Sequence, residues 1–191
     1  KLFEMPLLGF LGSLGEEDRF NVVPFSTGAD GMFRRPEPAT PENLARARER
    51  TQQLYAAGGT NIESALKAAL ASNRKADEYV PITVFLTDGL PTVGERNTNN
   101  LLSQVAEWNK LGARIFVLGV GHDVNTTLLD RLAGEGHGTR GYVRSGESIE
   151  VAASALFQEL SHPVMTDLEL ELDGIKTSRQ CPEVLPDLFI G

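Results

Sequence analysis

The sequence is poor in the residues that most readily announce a chemistry. A single cysteine, Cys181, stands among 191 residues, so no disulfide closes within the chain and cysteine usage says nothing about compartment. The three histidines, His122, His137 and His162, are scattered and share no zinc-ligand spacing with that cysteine. Lysine and arginine number 18 against 26 acidic residues, a net charge of -8, which excludes the concentrated positive field that nucleic-acid phosphates require. No apolar run approaches the roughly 18 residues of a membrane span. Walker A and G-x-S-x-G motifs are absent, and Gly119-Val120-Gly121 is followed by Val124 where the third glycine of a dinucleotide fingerprint belongs. The chain opens at Lys1 with neither methionine nor a signal-like segment, and we expect the natural N-terminus to lie upstream.

What is present reads as a folded globular domain, 41% hydrophobic and 23% charged. Leu7, Phe10, Leu11 and Leu14 recur at helical spacing, in a helix that Pro6, Gly9 and Gly12 delay or kink. A strand is expected over 19–26 and a short one at Met32-Phe33. Thr40, Pro41 and Glu42 read as N-cap, first helical residue and first-turn acid, opening a helix that stops by Gly58-Gly59. Another helix follows with Ile62, Leu66 and Leu70. Residues 82–86 and 114–120 are short, β-rich and almost wholly apolar, as expected of parallel strands buried on both faces. Between and after them come helices marked by Leu101, Val105 and Trp108, by Leu128, Leu129 and Leu132 behind an Asn125 cap, and over 148–160, with a strand at Tyr142-Val143. This alternation is that of a doubly wound α/β sheet. Beyond Pro163 the pattern changes. Residues 167–172 alternate polar and apolar, and Asp173-Gly174 is a hairpin signal, so 164–191 reads as the start of a second, β-type domain after a first at 1–163.

In such sheets ligands bind beyond the carboxyl ends of the strands. Two segments fall there: Gly58-Gly59-Thr60-Asn61, a glycine turn delivering a hydroxyl, and Thr87-Asp88-Gly89, a carboxylate directly after an apolar strand. Both offer the hard oxygens that Mg²⁺ or Mn²⁺ prefers. Each has a plainer reading as well. Thr60 suits an N-cap, Asp88 an ordinary turn, and the glycines a helix terminus and a turn.

Taken in order, residues 18–26, Ala39-Thr40-Pro41-Glu42-Asn43, Gly58-Gly59-Thr60-Asn61-Ile62, residues 84–94, Gly119-Val120-Gly121, residues 128–133 and Tyr142-Val143-Arg144 resemble von Willebrand factor type A domains of the inter-alpha-trypsin inhibitor heavy-chain type. The match spans about residues 7 to 165, and the tail resembles the segment that follows this domain in proteins carrying a vault/inter-alpha-trypsin domain before it. The resemblance implies a Rossmann-like, doubly wound, mostly parallel sheet with helices on both faces. It also implies that the first, central strand is missing here, between residues 20–25 and 82–86. It further implies a metal-ion-dependent adhesion site to which Thr60 and Asp88 contribute, binding Mg²⁺ or Mn²⁺ and a partner protein's Asp or Glu carboxylate, in an extracellular or cell-envelope setting. The first loop of that site, Asp-x-Ser-x-Ser, has no counterpart in this sequence, so weak or absent metal binding is expected of these 191 residues alone. A non-metal interaction domain is the alternative. An α/β enzyme using Asp88 and Mg²⁺ is the remaining one, although no catalytic motif accompanies it.

Overall fold

A computed structural model describes residues 2–55, 57–73, 79–160, 163–165, 168 and 188–189. At its centre is β4 (Arg114–Val120), buried along its whole length. β3 (Ile82–Thr87) runs parallel on one side, with Ile82 opposite Arg114 and Thr87 opposite Gly119. β5 (Arg140–Val143) runs parallel on the other, with Val117 opposite Arg140. Side chains alternate across a strand, so a strand that is apolar throughout must be covered twice. Ile115 and Val117, with Phe85, pack against α3 (Ile62–Ser72), α4 (Thr98–Trp108) and α5 (Thr126–Glu135). Phe116, Leu118 and Val120 face the opposite way, against α6 (Ile149–Leu160) and Phe10 of α1 (Glu4–Ser13). The doubly wound α/β expectation is met.

Helix starts are set by local side-chain chemistry. Thr40, opening α2 (Pro41–Gln52), accepts a hydrogen bond from the Asn43 N–H, and Asn61, Asn97 and Asn125 accept from Ser64, Asn100 and Leu128 in the same way. Such caps contribute about 1 kcal/mol each. The first helix begins at Glu4, earlier than Pro6 suggests, because a proline in the first turn forfeits an N–H that has no intrahelical acceptor anyway. The second ends at Gln52, well before the glycine pair.

Two strand expectations are corrected. Over 19–26 only β1 (Arg19–Phe20) is regular, and it pairs antiparallel with β2 (Glu37–Pro38) rather than with Met32-Phe33. The side chain of Asn21 explains this. Its Oδ1 accepts from the Phe33 N–H at 3.0 Å and its Nδ2 donates to the Phe33 carbonyl at 2.9 Å, so that beside the bond from the Met32 N–H to the Val22 carbonyl at 2.7 Å an amide bridge stands in for a ladder. Leu11, Phe20, Met32, Phe33, Ala39 and Ala47 form a cluster of their own at this end of the molecule.

Between residues 20–25 and β3 lies a cleft of about 1570 Å³, lined by Leu7, Phe10, Val23, Val84 and Leu86 among others. This is the slot expected for a central strand. Among the described residues nothing pairs with that edge of β3, and Ile82, Val84 and Leu86, apolar though they are, remain only half-buried. An apolar edge with unpaired N–H and C=O groups invites association. Farther on, β6 (Pro163–Met165) pairs antiparallel with β7 (Leu188–Phe189). The strand expected over 167–172 falls, Leu168 apart, outside the described residues, as do the Asp173-Gly174 hairpin, His162 and Cys181.

The 191-residue chain is therefore expected to bind a hydrophobic dye and to self-associate at micromolar concentration. Light scattering and dye fluorescence test this. A monodisperse protein that unfolds cooperatively and leaves the dye dark would show that the cleft is not open in solution.

Candidate functional site

The carboxyl end of β3 is where the two segments singled out by sequence meet. β3 ends at Thr87, whose hydroxyl takes part in the turn by bonding to Gly89 (3.3 Å to its carbonyl oxygen and 3.4 Å to its nitrogen). That leaves Asp88 exposed, with no hydrogen bond or ion pair among the described residues. Asp88 sits in the bend after β3, and the hydrogen bond that closes it is made by Thr87 rather than by the Asp88 carboxylate. The reading of Thr60 as a helix cap fails because Asn61 caps α3, accepting from the Ser64 N–H at 2.9 Å. Its hydroxyl thus has no partner among the described residues either.

Backbone pairing holds the two segments together. The Thr92 and Val93 N–H groups donate to the Thr60 carbonyl at 2.9 and 3.2 Å, and the Thr60 N–H donates to Thr92 Oγ1 at 2.7 Å. Thr60 Oγ1 lies 3.6 Å from the position a Cβ on Gly89 would take, which puts the hydroxyl against the residue that follows Asp88. On the other flank, the Gly59 N–H donates to Thr27 Oγ1 at 3.1 Å and the Asn61 N–H to the Ser26 carbonyl at 2.8 Å. The glycines serve these close approaches. Gly58 has φ +84°, and a Cβ there would come within 2.5 Å of Thr27 Oγ1. One on Gly59 would come within 2.6 Å of Val93. They make room for neighbouring loops and terminate no helix.

Sequence reasoning passed over Thr27 and Thr92 as individual positions. The available signal was a hydroxyl residue in each loop at the same end of the sheet, but contacts spanning 32 residues leave no local pattern.

Nearby acids do not complete a metal shell. Glu63 Oε2 accepts from the Glu95 N–H at 2.7 Å. Glu95 accepts from the Asn97 N–H at 2.7 Å and from Asn100 Nδ2 at 3.2 Å, and these bonds, the backbone one foremost, hold its pKa below the usual carboxylate value. Both acids are used in seating the third loop on α3 and α4. No group of three or more His, Cys, Asp or Glu able to hold an ion occurs among the described residues. The donors present, one free hydroxyl and one free carboxylate, suit a hard divalent ion but make up only part of its shell.

A parallel sheet covered on both faces by helices defines the class of doubly wound α/β domains. Residues 5–141 match the family model of the von Willebrand factor type A domain, and the chain belongs to that family. It is 31% identical over 172 residues to human inter-alpha-trypsin inhibitor heavy chain H4, a match covering 86% of this chain and 18% of that protein. The pig H4 chain is 32% identical over 190 residues, covering 96% and 20%. The sequence thus spans only a small part of these relatives' length. Among solved structures, a von Willebrand factor type A protein from Catenulispora acidiphila superposes with TM-score 0.70 at 22% identity, covering 83% of this chain and 36% of that one. Proximal thread matrix protein 1 from the mussel byssus, described with a zinc-occupied MIDAS motif, superposes with TM-score 0.64 at 16% identity, covering 84% and 40%.

These contacts separate architecture from ligand chemistry. Gly58→Ala is expected to cost about 1–3 kcal/mol of stability through its left-handed backbone and its clash with Thr27. Asp88→Ala should stay within about 0.5 kcal/mol of the parent, as an exposed residue without partners does. Urea unfolding of both variants checks this, and a destabilised Asp88→Ala would mean that the carboxylate has a structural role.

Proposed function

We propose that this domain binds protein ligands through a divalent cation, Mg²⁺ or Mn²⁺, with Thr60 Oγ1 and the Asp88 carboxylate as two of the ion's ligands. The observation that carries the reading is the convergence at the end of β3 of two hard-oxygen donors that do no structural work. The remaining acid and hydroxyls would come from an Asp-x-Ser-x-Ser loop on a strand filling the slot beside β3, at the same end of the sheet. A partner's Asp or Glu carboxylate then completes the shell, and on a surface of net negative charge the ion supplies the positive charge that attracts it. An extracellular or cell-envelope setting belongs to the same reading, supported by the likeness to inter-alpha-trypsin inhibitor heavy chains. No helix among the described residues is long and apolar enough to cross a membrane. We also propose a domain boundary at 163/164, where the α/β alternation stops.

A second reading, an interaction domain that works without metal, is favoured by the lack of any three-acid cluster among the described residues. Catalysis has no comparable support, since no catalytic motif accompanies Asp88 in the sequence.

Calorimetric titration with Mg²⁺ decides between the first two. A longer chain whose preceding strand carries Asp-x-Ser-x-Ser should bind the ion, and Asp88→Ala in it should abolish binding. The 191-residue chain should bind weakly or not at all. Equal binding with and without Asp88 would end the metal reading.

A further inference from the structure

The loop that carries Asp88 ends in a cation with no carboxylate partner among the described residues. Arg96 is exposed, and its Nη2 donates to the carbonyl of Thr92, the residue whose backbone and hydroxyl are bonded to Thr60. The adjacent acid, Glu95, does not pair with it, because both Glu95 oxygens accept from Asn97 and Asn100. Arg131 pairs with Glu135 and Arg140 with Asp130, while Arg19 and Arg144 share with Arg96 the lack of a carboxylate partner among the described residues; what sets Arg96 apart is its bond to Thr92, beside Thr60. Arg96 has no carboxylate among the described residues, in a chain of net charge -8. A guanidinium has five N–H donors in a flat fork, and one bond to a carbonyl leaves an edge free for a carboxylate.

We propose that Arg96 is a second anchor for the ligand, taking a carboxylate other than the one that completes the metal shell. The partner segment is therefore doubly acidic. This rests on the reading of Thr60 and Asp88 as the metal site, and it adds a determinant of which acidic segments bind. A lone carboxylate meets only the ion. A neighbouring one meets a fixed cation held a few bonds from Thr60, and its position relative to the first is set by the Thr60–Thr92 pairing.

The test uses the longer, Mg²⁺-loaded chain and fluorescein-labelled Gly-Ser peptides. These carry either one aspartate or two aspartates separated by none, one or two residues, and binding is read by anisotropy at low salt. For the best two-aspartate peptide, Arg96→Gln should weaken binding roughly two- to fivefold, the range for an exposed ion pair, and Arg96→Lys should restore part of the loss. The one-aspartate peptide should be unaffected. Affinity for Mg²⁺ itself should be unchanged or tighter, since removing a neighbouring cation does not oppose a metal ion. An equal loss for both peptides, or weaker Mg²⁺ binding, would show that Arg96 only props the loop and would overturn the proposal. So would no loss for any two-aspartate peptide. If instead Asp88→Ala leaves one-aspartate binding intact, the metal reading itself fails, an outcome separate from any effect of Arg96. Absence of binding by every peptide overturns both.

Discussion

Everything in this molecule is arranged around the need to cover β4 twice. Five of its seven residues, Ile115, Phe116, Val117, Leu118 and Val120, project apolar side chains to one or the other face of the sheet, and neither face can be left to water. That single requirement places α3, α4 and α5 on one side and α1 and α6 on the other. Parallel strands joined through such crossovers all point the same way, so the loops leaving their carboxyl ends gather at one end of the sheet. Burying Ile115 and Val117 places α3, and with it the turn at Thr60 that precedes α3, beside the sheet, where the bonds to Thr92 and Val93 join it to the Asp88 loop. No interaction between Thr60 and Asp88 themselves is needed to bring this about.

Fine positioning has a different source. Three loops from distant parts of the sequence are tied by hydrogen bonds from main chain to hydroxyl: Gly59 to Thr27 and Thr60 to Thr92, backed by the return bond from the Thr92 N–H to the Thr60 carbonyl. These bonds consume Thr27, Thr92, Glu63 and Glu95 as structural groups and leave Thr60 Oγ1 and Asp88 unspent. The distinction between scaffold and ligand donor is thus visible as a difference in hydrogen-bond satisfaction, in residues of the same chemical types.

How much of this was legible in the sequence depended on whether the cause was local. β4 and β3 announced themselves through short, β-rich and almost wholly apolar runs, and the Thr40 and Asn125 caps through the residues that follow them, because each of these signals lies within a few positions. The strand expected over 19–26 failed because a side chain, that of Asn21, captured the groups of Phe33 that a strand would have used. No propensity scale registers such a capture. At the site, Thr60 after its glycine turn and Asp88 after β3 were legible as oxygen donors, while the cap that belongs to Asn61 and the threonines that brace Thr60 were not. The former turned on a one-residue choice between two good caps, the latter on contacts between segments far apart in sequence.

The division of the interior has a meaning for cooperativity. The cluster of Leu11, Phe20, Met32, Phe33, Ala39 and Ala47 is separate from those on the two faces of β4, and the cleft beside β3 runs between them. A domain whose apolar interior is subdivided in this way need not open all at once. The end of the molecule formed by the segment from α1 to α2 meets the β4 layers where Phe10 packs at a tilt on Phe157, ring centroids 4.3 Å apart, where Phe25 stacks on Phe85, and through the bonds of Ser26 and Thr27 to the 59–61 turn. Because α1 joins that end to one wall of the cleft, an extended segment laid along β3 would touch both parts at once. It would convert two partly independent units into a single cooperative one.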